Sequence, residues 1–173
     1  MIDTLADKMA DKVNERVEQA TQYMEKVASP RTNRVVGLVL GVPSWTVLGL
    51  AKWLDPNPQG YGTHLQLGMS ECTMMHFTGY PCPMCGMTTT FALYADFRVI
   101  DALFNQPFGL VLFGTTVALA IIGALDVATG KGYWKRALSW VDRRETKVAA
   151  VLLIGMLGGW VYKVFQVHPE LLG

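Results

Sequence analysis

The chain predicts an all-α integral membrane protein: three transmembrane helices, an N-terminal amphipathic helix and short interfacial helices. Composition, apolar runs and loop charge carry that prediction. Of 173 residues, 51% are hydrophobic and only 17% are charged. Val35 to Leu54 is charge-free except for Lys52, while Phe108 to Leu125 and Val148 to Tyr162 carry no charge at all. Crossing roughly 30 Å of hydrocarbon takes about 20 apolar residues. Spans are therefore predicted at about 35–54, 107–128 and 146–165. The third reaches full length if Lys163 snorkels toward the interface. A soluble domain would have too little polar sequence left to cover three such helices.

Loop charge sets the expected orientation. Lys8, Lys12, Arg16, Lys26, Arg31 and Arg34 precede the first span, and Lys131, Lys135, Arg136, Arg143, Arg144 and Lys147 follow the second. The segment between spans one and two has only Arg98 beyond the boundary Lys52. Lysine and arginine collect on the cytoplasmic side. The N-terminus and residues 131–147 are thus expected inside, and residues 55–105 and the C-terminus outside. No short apolar core with a cleavage site opens the chain, so the first span is expected to serve as an uncleaved signal.

Two regions follow: residues 1–30 as a cytoplasmic amphipathic helix and residues 31–173 as the membrane domain. Ile2, Leu5, Met9, Val13, Val17, Ala20, Met24 and Val27 recur at helical spacing over 2–27. The opposite face mixes Asp3, Asp7, Asp11 and Glu15 with Lys8, Lys12 and Arg16, which suits a partner helix at least as well as headgroups. Ser29-Pro30 ends that helix. Gly37-x3-Gly41 in span one and Gly155-x3-Gly159 in span three are candidate close-packing surfaces, and Pro43 is expected to bend span one. Asp55-Pro56-Asn57-Pro58-Gln59-Gly60 is a turn. Residues 85–95 are too short and polar to cross a bilayer, which places them at the outer interface or as a re-entrant helix. Residues 96–105 read as an amphipathic helix with Val99, Ile100, Leu103 and Phe104 on its apolar side, and 133–141 as an interfacial helix with Trp134 and Trp140 at headgroup level.

The chemistry is concentrated in Cys72-x3-His76-x5-Cys82-Pro83-Met84-Cys85-Gly86-Met87-Thr88, which holds every cysteine of the chain. With the apolar helix after it and Asn105-Gln106-Pro107, this motif resembles a family of small bacterial membrane proteins catalogued as domain of unknown function 2752. The resemblance spans roughly 65–125. Thr89 and Gln106 stand where family members often carry Arg and Asn. It implies a membrane architecture and no particular activity.

Three chemical readings of the motif stay open. Cys72, His76, Cys82 and Cys85 could complete a tetrahedral Zn site. Soft sulfur ligands with Met69, Met74, Met75, Met84 and Met87 nearby would also suit Cu(I). A disulfide among Cys72, Cys82 and Cys85 is the reading we favour. It would close a loop of about a dozen residues, worth about 3 kcal/mol in the chain-entropy account. Cys82-x2-Cys85 at a helix start could instead be a redox dithiol with a dipole-stabilised thiolate.

His64 and His168 read as solvated, and Asp126 as a helix-end residue. No phosphate-binding loop, nucleophile–base set or nucleic-acid patch is visible, and no cofactor is required beyond possible Zn or Cu. The expected role is a non-catalytic accessory or assembly subunit of a larger membrane complex, contacting lipid and binding its partner through residues 1–28 and the glycine-rich helix faces. The alternative is metal handling or thiol redox at the cysteine cluster. The resemblance implies a bacterial inner membrane, and the loop charge then puts the cysteine loop in the periplasm.

Overall fold

The structure, a computed structural model, describes residues 29–172 and, before them, residues 12, 14–16, 18 and 19, all helical. The rest of the predicted helix 2–27, and with it most of the partner-binding segment 1–28, lies outside the described residues. Helices α1 (Pro30–Trp53), α5 (Phe108–Thr129) and α7 (Glu145–Val167) are each long and apolar enough to cross a membrane. Between α1 and α5 come α2 (Thr73–Thr78), α3 (Met87–Ala95) and α4 (Val99–Asn105); α6 (Tyr133–Asp142) joins α5 to α7. Short 3-10 turns at Thr63–Leu67 and Pro169–Leu172 complete the described elements, which contain no strand.

Helix α1 starts where its sequence tells it to. Ser29 caps it by accepting the Thr32 N–H at 3.2 Å, and Pro30 occupies the first turn, where a missing N–H costs nothing. The helix continues through Pro43 to Trp53. Its inward face is small and polar (Asn33, Gly37, Gly41, Ser44 and Ala51), and it packs lengthwise on α5. Gly37 and Gly41 meet Gly123, so one of the two glycine pairs is a true helix–helix crossing. The other pair also marks a contact, of a different kind: Gly155 faces the ring of Phe108 at the start of α5, and Gly159 faces Phe108 and the Gln106 amide.

At the basic end, Asp126 holds the turn between α5 and α6. It is fully buried, and its carboxylate accepts the Tyr133 N–H at 2.6 Å and the Trp134 N–H at 2.9 Å, capping α6. Asn33 of α1 joins this corner by donating to the Gly130 carbonyl at 2.8 Å.

On the cysteine side, α3 is the best-buried element. Thr90 and Ala92 have no exposed surface, and Leu93 and Tyr94 pack with Phe113 of α5. The Tyr94 and Phe113 rings stack at 5.1 Å, and Phe91 meets Phe113 edge-on at 5.3 Å. Residues 85–95 thus form a short plug between α1, α4 and α5. Helix α4 begins at Val99, later than the predicted 96, because the chain first turns out of α3. Phe97 donates to the Tyr94 carbonyl and Arg98 to the Leu93 carbonyl, with Phe97 at φ 59°. This left-handed C-terminal turn normally takes glycine. A β-carbon there costs about 1–2 kcal/mol, and the Phe97 ring recovers little of it, being 86% exposed. Phe97→Gly should therefore stabilise the chain in detergent by about 1 kcal/mol, read as a raised unfolding temperature.

The third span is held differently from the other two. Only Gly159 and Lys163 of α7 are buried, and it touches α5 over a short stretch. Its grip comes from polar groups near its cysteine-side end. Trp160 Nε1 donates to the Pro81 carbonyl and Tyr162 Oη to the Phe104 carbonyl, both at 2.7 Å. Lys163, expected from the sequence to snorkel outward, instead turns inward and is 2% exposed. The reason is a ring of oxygens within reach. Its ammonium donates to Asn105 Oδ1 (2.8 Å), the Asn105 carbonyl (3.3 Å), the Gly60 carbonyl (3.1 Å) and Gln166 Oε1 (3.1 Å).

Candidate functional site

The cysteine lobe is assembled by threonines, one asparagine and one glycine. Thr63 and Thr89 share a buried hydrogen bond of 2.8 Å, tying the outer loop to α3, and Thr63 Oγ1 also accepts the Asn57 N–H at 3.0 Å. Asn105 bridges outward and inward at once. Its Nδ2 donates to Thr90 Oγ1 at 2.8 Å and to the Gly86 carbonyl at 3.2 Å, while its Oδ1 receives Lys163. Gly86 sits at φ 81°, and a β-carbon there would lie 2.6 Å from the Gly60 carbonyl and 3.0 Å from Lys163 Cε. Only glycine fits this point, which is why Cys85 must be followed by it.

The turn Cys82-Pro83-Met84-Cys85 is closed by the Cys85 N–H donating to the Cys82 carbonyl at 2.9 Å. Pro81, just before it, is fully buried beneath Trp160. His168 pins the neighbouring strand of chain: its Nε2 donates to the Gly79 carbonyl at 2.9 Å, its Nδ1 meets Glu170 at 2.8 Å, and its ring lies 4.8 Å from Tyr80. Those two partners, the Gly79 carbonyl foremost, hold the imidazole above its ordinary range. The histidine expected to be merely solvated is thus a clasp between the end of α7 and the cysteine turn.

All three cysteines are free thiols. Cys72 and Cys82 are brought together closely enough for each to act on the other, with Cys82 as the S–H donor and the Cys72 sulfur as the acceptor. Cys72 caps α2, and its thiol is held below the usual range, first by the Met75 N–H, then by the Cys82 thiol and the Met74 N–H, against an opposing effect of burial. Cys82 is pushed up by burial and by the Cys72 sulfur. Cys85 is buried and pushed up to about 11, by burial first and then by the charges of Cys82 and Cys72, with Lys163 acting in the opposite direction. Of the three thiols only Cys72 is shifted down, while Cys82 and Cys85 are shifted up. Burial overrides any dipole there.

A cleft of about 270 Å³ opens beside these sulfurs, lined by Tyr61, His64, Glu71, Cys72, Met75 and Cys85 among others. His76 does not line it. Its side chain is 67% exposed, 3.9 Å from Glu71 and edge-on to Phe77. Among the described residues, no three or more His, Cys, Asp and Glu side chains are gathered at metal-binding spacing. The cleft does hold His64 with two thiols and a thioether, a different soft set from the one the motif suggested.

Lys163, Asn105 and His168 are the residues hardest to pick from sequence. A lone charge inside an apolar span is the available signal for Lys163, and the Asn105-Gln106-Pro107 element of the family resemblance is the one for Asn105; His168 has none. Gln106 is fully buried, and neither of its amide atoms has a hydrogen-bond partner among the described residues. Nothing in the structure explains that.

No curated protein and no solved structure matches the chain. Residues 72–120 match the family model described as Protein of unknown function (DUF2752). That segment contains the three cysteines, α3, α4 and the first part of α5, so the similarity to this family covers the cysteine lobe and less than a third of the chain.

Proposed function

We propose that this is a non-catalytic membrane protein whose cysteine lobe is locked by a reversible Cys72–Cys82 disulfide. The single observation that carries this reading is the apposition of those two thiols, with Cys72 shifted below the usual thiol range and Cys82 above it. In the exchange, the Cys72 thiolate attacks an external disulfide, forming a mixed disulfide and releasing one thiolate. Cys82 then loses its proton and attacks the Cys72 sulfur, releasing the second thiolate. The external disulfide is reduced to two thiols and the Cys72–Cys82 pair is oxidised by two electrons. The distribution of lysine and arginine supports a periplasmic lobe in a bacterial inner membrane, where such bonds persist.

The test is thiol mapping on the full chain in mild detergent. After full reduction, Cys72 should alkylate at lower pH than Cys82, and Cys85 last. Mild oxidation should yield a Cys72–Cys82 link in peptide mass spectra, with Cys85 left free. A dominant Cys82–Cys85 link would defeat the proposal. Stoichiometric Zn or Cu lost in Cys72→Ser would replace it with the metal reading.

The accessory role rests on a separate observation. Val99, Ile100, Leu103 and Phe104 of α4 line up with Phe97 as an exposed apolar face outside the three spans. The predicted apolar side of this helix thus faces outward, and Ala102 and Asn105 face the core. Lipid headgroups alone leave such a face half-solvated; a subunit contact would bury it. Photo-crosslinking from position 100 in intact membranes should capture a specific larger protein. Crosslinks to lipid alone would count against a complex.

A further inference from the structure

We infer that the elbow between α6 and α7 is a binding site for an anionic phospholipid headgroup. Residues 131–147 carry Lys131, Lys135, Arg136, Arg143, Arg144 and Lys147 against only Asp142 and Glu145. Arg143, Arg144 and Lys147 line a shallow bowl of about 790 Å³ with Trp140, Thr146 and the two acids. Within 4.0 Å, none of these three cations forms an ion pair with a carboxylate among the described residues. Their charge is therefore available to a group from outside the chain.

The surroundings select a lipid over a soluble anion. The Arg144 guanidinium lies over the Trp140 ring, 5.0 Å from its centroid, and Lys135 lies 5.6 Å from the Trp134 ring. Trp140 is 52% exposed, and Leu138, Val141 and Val151 are exposed beside it. A basic bowl rimmed by tryptophan, opening onto the start of an apolar span, matches a phosphodiester with acyl chains running along α7. Two adjacent guanidinium groups suit phosphate oxygens better than two ammonium groups would. The carboxylates of Asp142 and Glu145 disfavour free, highly charged anions, and a singly charged diester is repelled least.

Native mass spectrometry of the full chain, released from micelles doped equally with phosphatidylglycerol and phosphatidylcholine, tests this. Wild type should retain phosphatidylglycerol preferentially. Arg143→Gln with Arg144→Gln should lower that retention about tenfold and leave phosphatidylcholine unchanged. Arg143→Lys with Arg144→Lys should keep most of it. Arg98→Gln, on the opposite side, should behave as wild type. Equal retention of the two lipids by wild type would overturn the inference, as would undiminished phosphatidylglycerol binding by the Gln pair. Displacement of the bound lipid by millimolar inorganic phosphate would reassign the site to a soluble anion.

Discussion

Gly123→Val should pull the first two spans apart. At this point a β-carbon would lie 2.5 Å from Gly41 Cα, 2.7 Å from the Gly37 carbonyl oxygen and 2.7 Å from Gly41 N. All three obstacles are backbone, so no side chain can swing aside to make room. The helices must separate along the face that also buries Ser44 and Ala51. Lipid is as apolar as the side chains it would replace, so close packing is what joins these helices. Overpacking a tight core costs about 1–3 kcal/mol, and a branched side chain against two backbones belongs at the top of that range. Gly114→Val on the same helix is the control, because nothing lies within 4 Å of its β-carbon position. Thermal unfolding in detergent should show a large drop for the first variant and almost none for the second. Equal behaviour would mean that α1 and α5 do not cross where the structure places them.

The contrast shows which parts of this molecule its sequence makes legible. Span positions follow from runs of apolar residues, a property of the bilayer acting on each helix separately. They come within a few residues: α5 runs Phe108–Thr129 against a predicted 107–128. The first span starts five residues before the predicted 35, because Arg31 and Arg34 look like flanking charge whereas Ser29 and Pro30 already start the helix. The glycine pair of α1 was visible, but its true counterpart, Gly123, has no small residue four places before it to complete a pattern. Helix α2 and the 3-10 turn at Thr63–Leu67 have no periodicity to read; their shape is imposed by Thr63, Thr89 and the cysteine turn. The same holds at the site. The motif announced that Cys72, Cys82 and Cys85 belong together, yet spacing alone could not rank them. Burial and backbone N–H groups separate them, shifting the Cys72 thiol down and the Cys85 thiol up, and His76 stands outside the cleft.

Lys163→Met separates two physical accounts of the third span by sign. If Lys163 merely reached for the interface, methionine would suit the hydrocarbon better and the variant would hold or gain stability. The structure instead makes the ammonium the hub of an oxygen ring contributed by the outer loop (Gly60), α4 (Asn105) and α7 itself (Gln166). Methionine has similar length but no proton to give. It would leave Asn105 Oδ1 and the Gly60 carbonyl facing a thioether. Removing one partner from a buried, hydrogen-bonded charge typically costs about 3–5 kcal/mol. Little else restrains α7, since its apolar face mostly meets no other helix and its remaining ties are single bonds from Trp160, Tyr162, Gln166 and His168 and the contact of Gly155 and Gly159 with Phe108. The expected outcome is a sharp fall in unfolding temperature together with faster proteolysis of the loop at residues 54–62, as the third span swings away from it. Lys163→Arg should not rescue, because the larger guanidinium would have to fit where Gly86 and Gly60 already crowd the lysine stem. Stability equal to wild type for Lys163→Met would remove the ring as the anchor of this helix. The cysteine turn, which reaches that ring through Asn105, would then be held in place by Trp160, His168 and the Asn105 bonds to Thr90 and the Gly86 carbonyl.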